Sequence, residues 1–265
     1  MTKKGSIGVF DSGVGGLWIL KHLKDEYKQY NYFFVGDQAH VPYGLKTKEE
    51  IKNFAEQITN FLKKKDCSLI IVACNTASGV ALKYLREKFP EIIFVGMEPA
   101  VKTAALNTQT GKIGVLATKV TFEGELYNSL KDKFGQTVQI FEDTCDGLVN
   151  QVEKNELSDL ETRNILERAI LPMIEKEVDS LVLGCTHYPF VTPLIKDITK
   201  DRINIIDPTM AIVGRVGQII YENQDLFLEG NSQVKIFTTG DIEKMQSFVS
   251  ENFDKDIEVM ELKLC

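Results

Sequence analysis

The chain has 265 residues, 43% of them hydrophobic, enough for one large or two small globular domains at about 150 residues each. Its 31 basic and 38 acidic side chains leave a formal charge of −7, which speaks against a basic face for nucleic acid. The apolar run after the polar, basic residues 1–6 is too short for a secretory signal, and residues 69–74 fall far below the roughly 20 of a membrane span. A cytoplasmic protein without membrane contact is expected, its five cysteines (Cys67, Cys74, Cys145, Cys185, Cys265) reduced. An odd count with no C-x-x-C pair removes disulfide-framework, zinc-ribbon and thioredoxin readings. Three scattered histidines (His22, His40, His187) suggest no metal site.

In chain order, residues 7–10 read as a buried strand, followed by a helix with Leu17, Leu20 and Leu23 on one face. Residues 32–36 are a second strand. Thr47 and Glu50 make a capping box opening a helix striped by Ile51, Phe54, Ile58 and Leu62. Lys63, Lys64 and Lys65 fall at its end, where cations suit the helix dipole. Residues 69–73 and 92–96 are the third and fourth strands. Further strands are read at 113–116, 138–141, 181–183 and 203–206, with Ser158 and Glu161 as a second capping box before a long helix containing Pro172. The tail adds a strand at 234–237, an amphipathic helix from about Asp241 and a last strand near 257–262. Strands this uniformly apolar are usually covered on both faces, which predicts an α/β protein with largely parallel sheets.

The second half echoes the first. Ile7-Gly8-Val9 is matched by Ile113-Gly114-Val115, Cys74-Asn75-Thr76 by Cys185-Thr186-His187, and Glu98-Pro99 by Asp207-Pro208, in the same order and at similar separations. Such a duplication would make the two cysteines mirror partners across a cleft. Each follows a buried strand and precedes a helix, where ligands bind in open α/β sheets and where a thiol is pushed toward thiolate. Each could equally be a small buried hydrophobe. The polar residues beside both, and the repetition, favour chemistry. Asp11 leads into Ser12-Gly13-Val14-Gly15-Gly16, a turn that offers amides to an anion. It is neither a dinucleotide fingerprint, since Trp18 stands where glycine is needed, nor a P-loop. Asp37, the run Val41-Pro42-Tyr43-Gly44, and Thr118 with Thr121 occupy corresponding rims. Lys and Arg are missing from this set, so a carboxylate ligand would be held by neutral donors. Asp11 and His187 are placed to tune or relay protons.

The motifs Gly8-Val9-Phe10-Asp11-Ser12-Gly13-Val14-Gly15-Gly16-Leu17, Val41-Pro42-Tyr43-Gly44, Ala73-Cys74-Asn75-Thr76-Ala77 and Leu183-Gly184-Cys185-Thr186-His187-Tyr188-Pro189 together resemble the glutamate racemases, within the cofactor-independent aspartate/glutamate racemases. The resemblance covers nearly the whole chain. It implies two flavodoxin-like domains in pseudo-twofold relation with the active site between them. Residues 1–96 with 210–265 would form the domain carrying Asp11 and Cys74, and 97–209 the domain carrying Cys185. It implies interconversion of L- and D-glutamate for peptidoglycan synthesis without cofactor or metal, in a homodimer. Cys74 and Cys185 would be the opposed bases, toward D- and L-glutamate respectively, assisted by Asp11, Glu153 and His187. Ser12, Pro42, Tyr43, Gly44, Asn75, Thr76, Thr118, Thr121 and Thr186 would contact substrate, together with Asp11 and His187. The run Asp146-Gly147-Leu148-Val149-Asn150-Gln151 before Glu153 departs from the family pattern. The chain also lacks the N-terminal extension with which some relatives bind a cell-wall precursor, so no such activation is expected.

Two bases suit the reaction, because one fixed side chain cannot reach both faces of a carbon. An aspartate or other amino-acid racemase of the same superfamily is the nearest alternative. Covalent thiol catalysis leaves the second cysteine unexplained, and a non-catalytic binding fold would leave both cysteines structural.

Overall fold

A computed structural model of the chain describes residues 5–227 and 232–264. Two compact units are present, one built from the stretch up to Met97 together with that from Thr209 onward, the other from Glu98–Pro208. The first unit opens with β1 (Ser6–Asp11), α1 (Leu17–Glu26), β2 (Asn31–Gly36), α2 (Lys48–Lys64), β3 (Cys67–Val72), α3 (Asn75–Lys88) and β4 (Ile93–Gly96). The second contains α4 (Val101–Asn107), β5 (Lys112–Leu116), α5 (Lys119–Phe122), α6 (Glu125–Phe134), β6 (Gln139–Asp143), α7 (Leu148–Glu153), α8 (Leu160–Glu175), β7 (Ser180–Leu183), α9 (Thr192–Thr199) and β8 (Asn204–Ile206). The chain then returns to the first unit with α10 (Thr209–Glu222), β9 (Val234–Thr238), α11 (Ile242–Asn252) and β10 (Val259–Glu261).

Both sheets are parallel throughout. The first has the order β10-β9-β2-β1-β3-β4 and the second β6-β5-β7-β8. Counted within each unit, β2-β1-β3-β4 and β6-β5-β7-β8 are the same 2-1-3-4 arrangement, as in flavodoxin-like sheets. Helices bury the sheet faces. Ile51, Ile58 and Leu62 of α2 pack with Ile70 and Val72 in one core, and Val101 and Ala104 of α4 with Ile113, Val115 and Val182 in the other. Such burial of aliphatic side chains contributes about 1.5–3 kcal/mol each. β6 lies at a sheet edge and none of its residues is fully buried, and its start falls at Gln139 rather than at 138.

The Thr47–Glu50 capping box forms as read, with the Thr47 side chain accepting from the Glu50 N–H and the Glu50 carboxylate accepting from the Thr47 N–H. The second box does not. Asp159 caps α8, its Oδ1 accepting the Thr162 N–H at 2.9 Å, so Ser158 stands one residue outside the cap. The helix runs on through Pro172, which lies near its end.

Candidate active site

In a 2-1-3-4 sheet the connections change direction between strands 1 and 3, and ligands bind beyond the carboxyl ends at that point. In the first unit this point lies after β1 and β3. β1 ends on Asp11, which is wholly buried and accepts the Gly13 N–H through Oδ1 at 3.0 Å. Gly16, at the start of α1, is needed for close approach. A Cβ there would stand 2.8 Å from Asp11 Cβ and 3.1 Å from Ala73 Cβ. Cys74 caps α3, its Sγ accepting the Ala77 N–H at 3.4 Å and lying 3.8 Å from Ser12 Oγ. An amide aimed at sulfur stabilises negative charge there. Asn75 and Thr76 follow in the first turn, both buried. Neither Oδ1 nor Nδ2 of Asn75 finds a hydrogen-bond partner among the described residues.

The loop after β2 completes this set. Asp37 is wholly buried and accepts from Tyr43 Oη at 2.6 Å, Thr239 Oγ1 at 2.6 Å and His40 Nδ1 at 2.9 Å. Pro42 follows a cis bond from Val41, and Tyr43–Leu45 forms a single 3-10 turn that includes Gly44. Burial, then the charge of Asp37 and its hydrogen bond, hold the Tyr43 phenol well above its ordinary value, so it stays a donor.

In the second unit the corresponding point lies after β5 and β7. Gly184 donates to Leu116 O at 2.7 Å, and a Cβ on it would meet Ala117 Cβ and Leu116 O, both at 2.9 Å. Only glycine lets the chain cross there and deliver Cys185. Cys185 Sγ lies 3.8 Å from His187 Nδ1, and His187 Nε2 lies 2.6 Å from Glu153 Oε1. The two outer side chains are sealed, with 2% of His187 and 10% of Glu153 exposed. Burial disfavours a charged His187, but its hydrogen bonds to Cys185 and Glu153 outweigh that and raise its pKa well above the usual 6.5. Thr186 is buried beside the cysteine, and Thr118 caps α5 with its hydroxyl 3.0 Å from that of Thr121.

The sequence expectation that both cysteines open α-helices holds only for Cys74. Cys185 is followed by a 3-10 turn, Tyr188–Val191, before α9 begins, so its sulfur has an imidazole rather than a helix start beside it. The structure thus brings Asp11, Ser12, Tyr43, Cys74, Asn75 and Thr76 to one strand-end region of the first unit. In the second it joins Glu153, Cys185 and His187, with Thr186 between the last two in sequence, while Thr118 and Thr121 pair with each other after β5. Thr239 was not read as belonging here, and its position two hundred residues from Asp37 leaves no local signal. Cys145 and Tyr188 lie close enough to Cys185 to feel its charge. Cys265 lies outside the described residues. Among the described residues no group of three or more His, Cys, Asp or Glu could hold a metal ion, and no helix is long and apolar enough to cross a membrane.

Each of the two parallel α/β units presents a thiol beyond its third strand, with polar partners beside it. The chain belongs to the Asp/Glu/hydantoin racemase family, whose model matches residues 19–216. It is similar to the glutamate racemase of Pseudomonas aeruginosa, 40% identical over 238 residues that cover 90% of this chain and 89% of that protein. Among solved structures, a glutamate racemase isoform from Bacillus anthracis matches with a TM-score of 0.86 at 28% identity, covering 99% of this chain and 98% of that one. The glutamate racemase of Francisella tularensis in complex with D-glutamate matches with a TM-score of 0.82 at 27% identity, covering 99% and 97%.

Proposed function

We propose that the chain interconverts L- and D-glutamate, with Cys74 and Cys185 as the two bases and one substrate molecule meeting both thiols. The observation that carries this reading is the doubled 2-1-3-4 sheet, each copy ending its third strand beside a cysteine with polar partners. The family and its glutamate racemase members support the choice of reaction and substrate.

The α-proton of an amino acid is a weak acid, so the carbanion has to be stabilised by fixed donors in a site that holds little water. With L-glutamate, the Cys185 thiolate takes the α-proton and the Cys74 thiol delivers one to the opposite face. With D-glutamate the roles reverse. One proton leaves carbon and one arrives, so no oxidant, reductant or cofactor is called for. His187 shares the Cys185 proton and Glu153 holds the imidazole. Asp11 assists at Cys74. Ser12, Pro42, Tyr43, Gly44, Asn75, Thr76, Thr118, Thr121 and Thr186 hold the ammonium and carboxylates with neutral groups, which leaves the thiolates unquenched by fixed cations. In this reading residues 1–96 with 210–265 supply one thiol and residues 97–209 the other. The enzyme works in the cytoplasm as a homodimer and supplies D-glutamate to peptidoglycan synthesis.

The test is incubation of the pure protein with L-glutamate in D₂O under reducing conditions with a chelator, following optical rotation and α-proton exchange together. Loss of rotation with deuterium entering chiefly the D-product is expected, and Cys74→Ser and Cys185→Ser should each abolish racemisation. No rotation change and no exchange with glutamate, but both with aspartate, would move the substrate assignment. Neither with either acid would refute the activity.

A further inference from the structure

Asp37 is not among either thiol's immediate partners, yet its buried carboxylate is heavily hydrogen-bonded. It sits just past β2, its own N–H donating to Asp11 O at 3.0 Å, so it stands level with the Asp11 strand end. Its side chain has no exposure and receives three donors from three places: Tyr43 Oη, His40 Nδ1 and Thr239 Oγ1. An ionised carboxylate only accepts, and this one faces only donors. An amide in its place would turn an NH₂ toward one of them. Around it the tail is fastened to the same loop. Thr239 N donates to Gly36 O at 3.1 Å, Ala39 N donates to Thr239 Oγ1 at 3.1 Å, and Thr238 Oγ1 donates to Gln38 Oε1 at 2.9 Å. Tyr43 in turn packs in one apolar cluster with Cys74, Ala77 and Phe10.

We propose that Asp37 is a positioning residue: by locking the Tyr43 hydroxyl and tying its loop to Thr239, it fixes the Tyr43–Gly44 turn against Cys74. The proposal rests on the racemase reading for its kinetic consequence but not for its geometry. Asp37 acts through Tyr43 and touches no substrate. Because the loop serves both enantiomers alike, its loosening weakens binding more than the proton transfers.

The test pairs kinetics with thiol labelling. Asp37→Asn and the milder Thr239→Val are compared with the unaltered protein for kcat and KM with both enantiomers. In the same proteins, iodoacetamide labelling of Cys74 and Cys67 is timed by peptide mass. Removing hydrogen bonds to a buried charge should lower kcat/KM by about tenfold to a hundredfold in Asp37→Asn, mostly through KM, and speed Cys74 labelling by a similar order. Thr239→Val should move both in the same direction by less. Cys67, buried in the same unit, should stay slow, which separates a loosened loop from a misfolded unit. In a Tyr43→Phe background, Asp37→Asn should add little. Unchanged KM and Cys74 labelling in both variants, equal acceleration at Cys67 and Cys74, or full additivity with Tyr43→Phe would overturn the proposal. If the unaltered protein fails to racemise glutamate, the labelling arm still decides the role of Asp37, while the functional reading fails separately.

Discussion

Glu153→Gln is the sharpest perturbation of the Cys185 side, because it deletes a charge while keeping the shape of the side chain. The carboxylate lies 2.6 Å from His187 Nε2 with both side chains nearly sealed from water. A hydrogen bond to a charged group in such a setting is worth about 1.5–3 kcal/mol, so kcat/KM should fall by roughly tenfold to a hundredfold. Enantiomers have equal free energies, so the equilibrium constant is unity and kcat/KM must remain equal from either side in any variant. The informative quantity is therefore the split between kcat and KM in each direction, which should differ most where Cys185 has to act as thiolate, starting from L-glutamate. Circular dichroism progress curves from each pure enantiomer measure all four constants. A Glu153→Gln protein that keeps its near-UV spectrum and stays within about twofold of the parent in both directions would refute the relay.

Three further outcomes are expected. The folded state raises the His187 pKa, so the stability this group contributes is fully present below its usual 6.5 and is lost as pH rises through the raised value. The Tm gap between the parent and His187→Asn should thus be widest near pH ~6 and narrow on the alkaline side, and a gap independent of pH would contradict the assignment. Gly184→Ala places a Cβ 2.9 Å from both Ala117 Cβ and Leu116 O, so overpacking should cost about 1–3 kcal/mol and racemisation should fall with the shift of Cys185. An unchanged Tm with full activity would show that the strand end gives way freely. Asn75→Ala removes a buried amide that has no partner among the described residues, so the ligand-free protein should hold or gain Tm while the protection conferred by glutamate shrinks by about 1–3 kcal/mol. A large drop in Tm with unaltered glutamate protection would mean that the amide serves the fold instead.

The central strands were legible because each is a short apolar run covered on both sides, and the two sheets repeat one order that the matched Ile-Gly-Val and cysteine landmarks already track. The Thr47 box was legible because its chemistry is local. The Ser158 box misled by one residue. Asp159 offers the better acceptor, and the pattern with Glu161 three residues on does not discriminate between adjacent starts. Cys185 was read as a helix start because His187-Tyr188-Pro189 gives no sign that a 3-10 turn intervenes. Glu153 lies behind a run that departs from the family pattern, and positive φ at Cys145 (47°) and Gly147 (94°) turns the chain into α7, at whose end this carboxylate reaches His187. Thr239 was invisible for a different reason. Its partner Asp37 is two hundred residues away, and only the parallel pairing of β9 with β2 brings them together.

The two thiols occupy equivalent places in equivalent sheets but are supported by different chemistry, and the difference follows from what comes after each cysteine. After Cys74 the chain enters α3 at once, so backbone is available to the sulfur and the Ala77 N–H supplies a fixed dipole that never changes protonation. After Cys185 the 3-10 turn removes that option, and His187, backed by Glu153, takes its place as a group that can carry the proton itself. A racemase has to hold one thiol protonated and the other ionised, and to exchange those states at each turnover. Two identical supports would leave that choice undefined. In the proposed reaction the Cys74 side would rely on a fixed dipole and the Cys185 side on a group that can itself carry a proton.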